Sequence, residues 1–264
     1  MKSLFARAAL FVTLLGLGCS RAVPQRALSG EASVDHAPVA SVPVSASEGD
    51  VGFPPPKRSV PEPPKNGVYL GRKLATPMSH LGAPWLDRAT RDAEQKPEHV
   101  LDVLGVRKGQ RVCDFGAGSG YFTVHMARRV GAEGRVFAVD VQPEMLALLG
   151  KKLAEERLAN VTSVLAKPSE PSLPPQSVDL VLMVDVYHEL ERPDLTMAQL
   201  REALAPGGRV AWVEYRAEDP NVAIKAEHKT TLVQLRREAE AAGYTVERVD
   251  ESLPQQRIVV LVPS

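Results

Sequence analysis

From Arg111 to the end of the chain, short apolar runs alternate with longer stretches in which apolar residues recur every three or four positions. The first pattern suits strands and the second amphipathic helices. Arg111–Phe115 reads as a strand, and Tyr121–Val130 as a helix with Phe122, His125, Met126 and Arg129 at helical spacing. Arg135–Val141 is a second strand. Pro143 opens a helix reaching Leu158, because the missing N–H of proline is harmless in a first turn. Val161–Ala166 and Val178–Val186 are the third and fourth strands. Within the latter, Leu180–Val184 is wholly apolar, as a strand covered on both faces requires. A helix over Asp194–Leu204 stops at Pro206-Gly207-Gly208, Arg209–Tyr215 is a fifth strand, and a helix over Thr230–Ala242 ends at Gly243. Thr245–Val249 and Arg257–Val262 follow as two strands with only a turn between them.

This alternation predicts an α/β fold: a doubly wound, mostly parallel seven-stranded sheet with helices on both faces. The last two strands form a terminal antiparallel hairpin. Ahead of the sheet, Leu74–Leu104 reads as two or three N-terminal helices. These form either a lid over the carboxyl edge of the sheet or a structural collar far from the site. The expected organisation is a signal peptide over 1–18, a tether over 19–66, a helical lid over 67–110 and the α/β domain over 111–264.

Composition separates the tail from the domain. Many of the 22 prolines fall before residue 66. Ser20–Lys65 is rich in Pro, Ser, Ala and Val without either period, a composition that buries too little apolar surface to fold. Lys2 and Arg7 precede the mostly apolar run Ala8–Gly18, the shape of an export signal too short to span a bilayer as a mature helix. Cys19 after Leu17-Gly18 resembles the processing site of bacterial lipoproteins, although Gly16 stands where leucine is usual. That resemblance implies a lipid on Cys19 and a membrane-tethered protein of the cell envelope. A plain cleaved signal, an anchor with an incidental cysteine, or a cytoplasmic location are the alternatives. With Cys19 lipidated, Cys113 has no disulfide partner and reads as an inert buried thiol. Lys plus Arg total 32 and Asp plus Glu total 32, so no bulk field favours a nucleic-acid partner. Nothing in the sequence sets the oligomeric state.

The chemistry concentrates in Asp114-Phe115-Gly116-Ala117-Gly118-Ser119-Gly120-Tyr121, between the first strand and the first helix of the sheet. Alternating glycines let the backbone turn sharply and approach a ligand closely. Asp140 ends the next strand, placed to accept hydrogen bonds from ribose hydroxyls. A nicotinamide-binding loop would carry a third glycine where Tyr121 stands. Asp114, leading into the loop, suits a ligand carrying a cation or an amine better than one carrying a pyrophosphate.

Asp114–Gly120 resembles the D-x-G-x-G-x-G motif of class I S-adenosylmethionine-dependent methyltransferases. Ala138-Val139-Asp140 resembles their ribose-binding strand end, and Leu204-Ala205-Pro206-Gly207-Gly208 the turn before their fifth strand. The resemblance implies S-adenosylmethionine as cofactor, contacted by Asp114, Gly116, Ala117, Gly118, Gly120, Asp140, Val141 and Asp185. One departure stands out. Many relatives have an acid just after the third strand for the adenine amine, where this chain has Lys167-Pro168-Ser169-Glu170.

Methyl transfer from a sulfonium is an in-line displacement that needs a held nucleophile and a dry site. Side chains from the ends of the fourth and fifth strands belong there: Asp185-Val186-Tyr187-His188-Glu189 and Glu214-Tyr215-Arg216, with Lys225, His228 and Lys229 beyond. His188 is the expected general base, with an ordinary pKa of about 6.5, and Tyr187 the expected shaper of the acceptor pocket. Cys and His spacing fits no metal site, so no metal is expected. The overall character resembles the small-molecule methyltransferases of quinone biosynthesis, which implies a small-molecule substrate with a carbon or oxygen acceptor. Two other readings stand beside it: a tethered cofactor-binding or interaction module without catalysis, and a nicotinamide-linked oxidoreductase, disfavoured by Tyr121 and the terminal hairpin.

Overall fold

A computed structural model describes residues 62–264. The expected signal segment 1–18, the lipidation of Cys19 and most of the 19–66 tether lie outside the described residues. Among the described residues, no helix is long and apolar enough to cross a membrane.

The described chain opens with a hairpin that its apolar pattern does not announce: β1 (Val68–Tyr69) and β2 (Arg72–Lys73). The two turn residues, Leu70 and Gly71, have φ of 46° and 90°. Positive φ at both positions matches the twist of the flanking strands. Three short helices follow: α1 (Ala83–Leu86), α2 (Arg91–Gln95) and α3 (Pro97–Val103). Lys96, at φ 43° and ahead of Pro97, breaks α2 from α3.

The sheet elements then run β3 (Arg111–Phe115), α4 (Tyr121–Val130), β4 (Arg135–Asp140), α5 (Pro143–Glu155), β5 (Val161–Leu165) and β6 (Val178–Val184). They continue through α6 (Pro193–Ala203), β7 (Leu204–Tyr215), α7 (Leu232–Ala241), β8 (Tyr244–Asp250) and β9 (Gln256–Pro263). Seven strands form one sheet in the order β5-β4-β3-β6-β7-β9-β8. Neighbours from β5 to β7 are parallel, and β9 runs antiparallel to both β7 and β8. The expected doubly wound sheet with its terminal hairpin is present.

Element ends differ from the sequence reading for local reasons. The helix expected to reach Leu158 stops at Glu155, because Arg157 turns left-handed at φ 55°. The fourth strand ends at Val184, where Asp185 leaves the sheet at φ 57°. The last helix starts at Leu232, one residue after Thr231, whose hydroxyl caps it by accepting from Gln234 N at 3.2 Å. Pro206-Gly207-Gly208 lies inside β7 as a bulge: Val178 pairs with Leu204, but Leu180 pairs with Arg209.

Alternate residues of the central strands feed two cores, as the two-residue period requires. Cys113, Val181, Met183, Val210 and Trp212 pack with Met197, Leu200 of α6 and Leu235, Ala239 of α7. Val112, Leu180, Leu182, Ala211 and Val213 pack on the other face with Val100, Leu101 of α3 and Phe122, Met126 of α4. The helices ahead of the sheet therefore divide: α3 is part of the core, the collar alternative, whereas α1 and α2 lie at the carboxyl edge. Cys113 is buried and free, as expected.

Candidate active site

Strand order reverses between β3 and β6, leaving a crevice at their carboxyl ends, the position where open α/β sheets bind ligands. A cleft of about 760 Å³ opens there. One wall is the loop after β3. Gly116 sits at φ 77°, and a Cβ on it would collide with Val186, lying 2.7 Å from Cγ1. Gly118, at φ 54°, approaches α1 so closely that a Cβ would lie 2.9 Å from Leu86 Cδ1. These residues are glycines because the backbone itself forms the wall. Gly116, Ala117 and Gly118 line the cleft. Gly120 does not: its backbone is packed against Leu149 of α5, so the expected ligand contact gives way to helix packing.

Asp140 ties this wall to the next. Gly118 N donates to its Oδ2 at 2.8 Å and Gln142 N to its Oδ1 at 2.9 Å. The backbone of Val141 also hydrogen-bonds the carboxylate, and because a carboxylate offers about four acceptor positions, Asp140 retains acceptor capacity for a ligand. Val141, half exposed, lines the cleft beside it with Met145, Ala166 and Pro168. Of the segment that follows the third strand of the sequence pattern, Lys167, Pro168 and Ser169 reach the cleft wall, and Glu170 faces Lys167 Nζ at 3.5 Å on the surface. Asp114 is not on the wall. It is buried beneath the loop, accepting from Thr123 Oγ1 at 2.5 Å, and burial pushes its pKa up to about 6.

The opposite rim comes from the N-terminal segment. Tyr69 is buried, and Arg72 makes a two-pronged ion pair with Glu238 of α7, both contacts at 2.8 Å. Arg72 Nη1 and Ala75 N both donate to His188 O, at 3.0 and 3.1 Å. Leu74–Met78 then crosses the cleft as a strap, and Gln142 pins its far end by donating to Met78 O and accepting from His80 N, each at 2.8 Å. In α2, Gln95 Nε2 donates to Asp185 Oδ2 at 2.8 Å, and Gln256 Nε2 donates to both oxygens of Asp185. Asp185 lines the cleft, and burial beside Glu214 pushes it up to about 6.

Beyond Asp185 the chain makes a short turn, Tyr187–Glu189, which sorts two neighbours to opposite sides. Tyr187 points into the core, stacked on Trp212 with ring centroids 3.7 Å apart and its hydroxyl donating to Glu238 at 2.7 Å. The expectation that it shapes the acceptor pocket is corrected: it is fully buried and off the cleft wall. His188 does line the cleft. Its Nδ1 lies 2.6 Å from Glu214 Oε2, and its Nε2 lies 3.0 Å from Nδ1 of His228, in the short turn Ala226–His228. Burial works against charging His188, but the Glu214 carboxylate outweighs it and the pKa is raised. His228 is lowered by burial and by the charge of His188. This end of the cleft thus pairs His188, the expected general base, with a second imidazole, that of His228. Sequence reading missed Gln95, Gln142 and Arg72; each acts through a contact more than 60 residues away in the chain, which no local pattern reveals.

A family model described as a methyltransferase domain matches residues 112–208. The solved S-adenosylmethionine-dependent methyltransferase of Aquifex aeolicus superimposes with a TM-score of 0.67 at 27% identity, covering 70% of this chain and 98% of that one. Within residues 112–208 the chain is therefore similar to methyltransferase domains, and its fold to that of an S-adenosylmethionine-dependent methyltransferase. Its curated relatives include the ubiquinone/menaquinone biosynthesis C-methyltransferase of Idiomarina loihiensis, 31% identical over 118 residues, or 44% of this chain and 47% of that protein. The enzyme of the same name from Psychromonas ingrahamii is 32% identical over 117 residues, with the same shares. The chain therefore spans about half the length of the curated relatives it matches.

The cleft fits S-adenosylmethionine on its own geometry. The glycine wall has no room for a Cβ at Gly116, Asp140 keeps free acceptor positions for ribose hydroxyls, and Val141, Met145 and Pro168 offer an apolar slot for a flat base. Asp185 brings negative charge toward the cationic end.

Proposed function

We propose that the protein transfers the methyl group of S-adenosylmethionine to a small-molecule acceptor, with an oxygen or carbon nucleophile favoured. The observation that carries this reading is the layout of one continuous cleft, with the Asp140 wall at one end and the His188–His228 pair at the other. The cofactor, when bound, supplies an electrophilic methyl group. Asp140 and the Gly116–Gly118 backbone orient it, while Val141 covers its base. The Leu74–Met78 strap and Trp85 restrict water at the rim, which matters because exclusion of water favours transfer to the held acceptor over side reactions.

At the far end, His188 Nε2 and His228 Nδ1 share a proton across 3.0 Å, and Glu214 stabilises a second on His188 Nδ1. With protons held on His188 Nδ1 and between the rings, a proton lost by a hydroxyl or an activated carbon acceptor passes to the remaining ring nitrogen, Nε2 of His228. The named activity of the quinone-pathway relatives supports an acceptor of that chemical kind, a phenol or a quinol. The strap and the segment holding His228 lie outside the matched residues 112–208, whereas His188 and Glu189 lie within them.

The test is calorimetric titration of the full chain with S-adenosylmethionine, followed by a screen of quinols and phenols scored by release of S-adenosylhomocysteine. One site per chain, strongly weakened by Asp140→Ala, is the expected result. A folded protein that binds neither the cofactor nor its demethylated product would refute the reading.

A further inference from the structure

Three ligand-bearing side chains meet at the acceptor end although they come from segments about 40 residues apart. His188 Nε2, His228 Nδ1 and Glu189 Oε1 are separated by 3.0 Å between the two nitrogens, 3.5 Å from His228 to Glu189 and 3.9 Å from His188 to Glu189. We propose that these three residues bind one divalent transition-metal ion, with its remaining coordination positions open to the cleft.

The spacing fits. Imidazole nitrogens and carboxylate oxygens bind zinc-like ions at about 2.0–2.2 Å. Three atoms each about 2.1 Å from one centre lie roughly 3.0–3.6 Å apart in octahedral or tetrahedral geometry. Two edges of the observed triangle, 3.0 and 3.5 Å, fall in that range and the third, 3.9 Å, is slightly longer, so a small shift of the Glu189 carboxylate closes the set on an ion. Two imidazoles and one carboxylate are also the donor set that selects Zn²⁺, Fe²⁺ or Mn²⁺ over the hard cations, which prefer oxygen alone.

A second observation is independent of the spacing. The other ring nitrogen of His188 is held at 2.6 Å by Glu214, itself fully buried. A carboxylate behind a histidine fixes ring orientation and tautomer and raises ligand basicity, the usual arrangement behind a metal-bound imidazole. The ring is anchored further from the backbone side, where Arg72 and Ala75 both donate to His188 O. His188 Nε2 is thus aimed before any ligand arrives.

Three protein ligands leave coordination positions free, the signature of a reactive site rather than a structural one. His188, Glu189 and His228 all line the cleft. The open positions then take an oxygen donor of the bound molecule. Assigning that donor to the methyl acceptor rests on the methyltransferase reading above; the ion site does not. The ion would occupy the place of the proton shared by the two rings, and it favours an acceptor with adjacent oxygens, a catechol or an enediol. Cys and His spacing along the chain carries no metal signal because the three ligands lie on two separate short turns, joined only by the fold.

The test uses the full chain, stripped with a chelator and titrated with Zn²⁺ by calorimetry and with Co²⁺ by visible absorption. One ion per chain and a Co²⁺ ligand-field spectrum are expected. Glu189→Gln, which keeps shape, and His228→Gln, at a partly exposed position, should each weaken binding about tenfold or more, and the pair together should abolish it. Unchanged affinity in both single variants, or neither heat nor spectrum from a folded wild-type chain, would overturn the site. S-adenosylmethionine binding is measured on the same preparation. Cofactor binding without metal binding sinks only the ion site; metal binding without cofactor binding sinks only the methyltransferase reading. Addition of catechol should shift the Co²⁺ spectrum, and an unaltered spectrum would overturn the open positions as an acceptor site.

Discussion

Replacing Arg72 by methionine keeps much of the side chain's volume and removes its charge, leaving Glu238 in the core opposite an apolar chain. The side chains of Arg72 and Glu238 are 7% and 0% exposed, so solvent screens the pair little. Removing one partner of a buried pair typically costs about 3–5 kcal/mol, because the remaining charge is left uncompensated. Glu238 retains two donors here, Tyr187 Oη at 2.7 Å and Gln234 Nε2 at 2.8 Å, which places the expected cost at the lower end, about 3 kcal/mol. With a urea dependence of about 3 kcal/mol per molar, the unfolding midpoint should fall by about 1 M at unchanged slope. The double variant Arg72→Met, Glu238→Met removes both charges and should recover most of the loss, ending within about 1–2 kcal/mol of wild type. A single variant costing under about 1 kcal/mol, or a double variant no more stable than the single, would refute the claim that this pair clamps the hairpin to α7.

Gly116→Ala should abolish cofactor binding in a calorimetric titration, since φ of 77° and the Val186 side chain both oppose a Cβ there; Val186→Ala added to it relieves the collision but not the backbone strain, so binding should return only in part. Asp114, with a folded pKa of about 6 against about 3.9 unfolded, stabilises the fold below about pH 4 and loses that contribution as pH rises through 6, by roughly 3 kcal/mol. Asp114→Asn should therefore raise the melting temperature at pH 7.5 and flatten its dependence between pH 4 and 6, and a variant melting below wild type at pH 7.5 would contradict this. Tyr187→Phe should cost about 1–3 kcal/mol in denaturant unfolding by taking a donor from buried Glu238, while leaving turnover intact; a loss of kcat at unchanged stability would return Tyr187 to the reaction.

The sheet was legible because each strand carries its own signal. Leu180–Val184 is apolar on both faces and is buried on both faces. The glycine loop was legible too, since positive φ and close approach leave glycine as the only comfortable residue at Gly116 and Gly118. Within that loop, sequence spacing does not separate a ligand wall from a packing surface, so Gly120 reads like its neighbours although it packs on Leu149. The hairpin at Val68–Lys73 escaped because Leu70 occupies a turn position that Asn or Gly usually marks. Tyr187 and His188 are adjacent in sequence, and only the short turn that follows β6 decides which one faces the cleft. The pairing of His188 with His228 was invisible for a simpler reason: it is a meeting of two loops, made by the sheet that separates them.

The cofactor wall is drawn largely from one stretch of chain, Gly116 to Met145, whereas the acceptor end gathers residues from Lys73–Met78, His188–Glu189, Glu214 and Lys225–His228. Most mutations therefore fall on one task or the other, Gln142, which holds the strap from the cofactor side, being an exception. Changes at the acceptor end can be tried by an evolving lineage, or by an engineer, without renegotiating the grip on the methyl donor. Selectivity is in this sense a separately heritable trait of the molecule, written in scattered codons around an unbroken cassette.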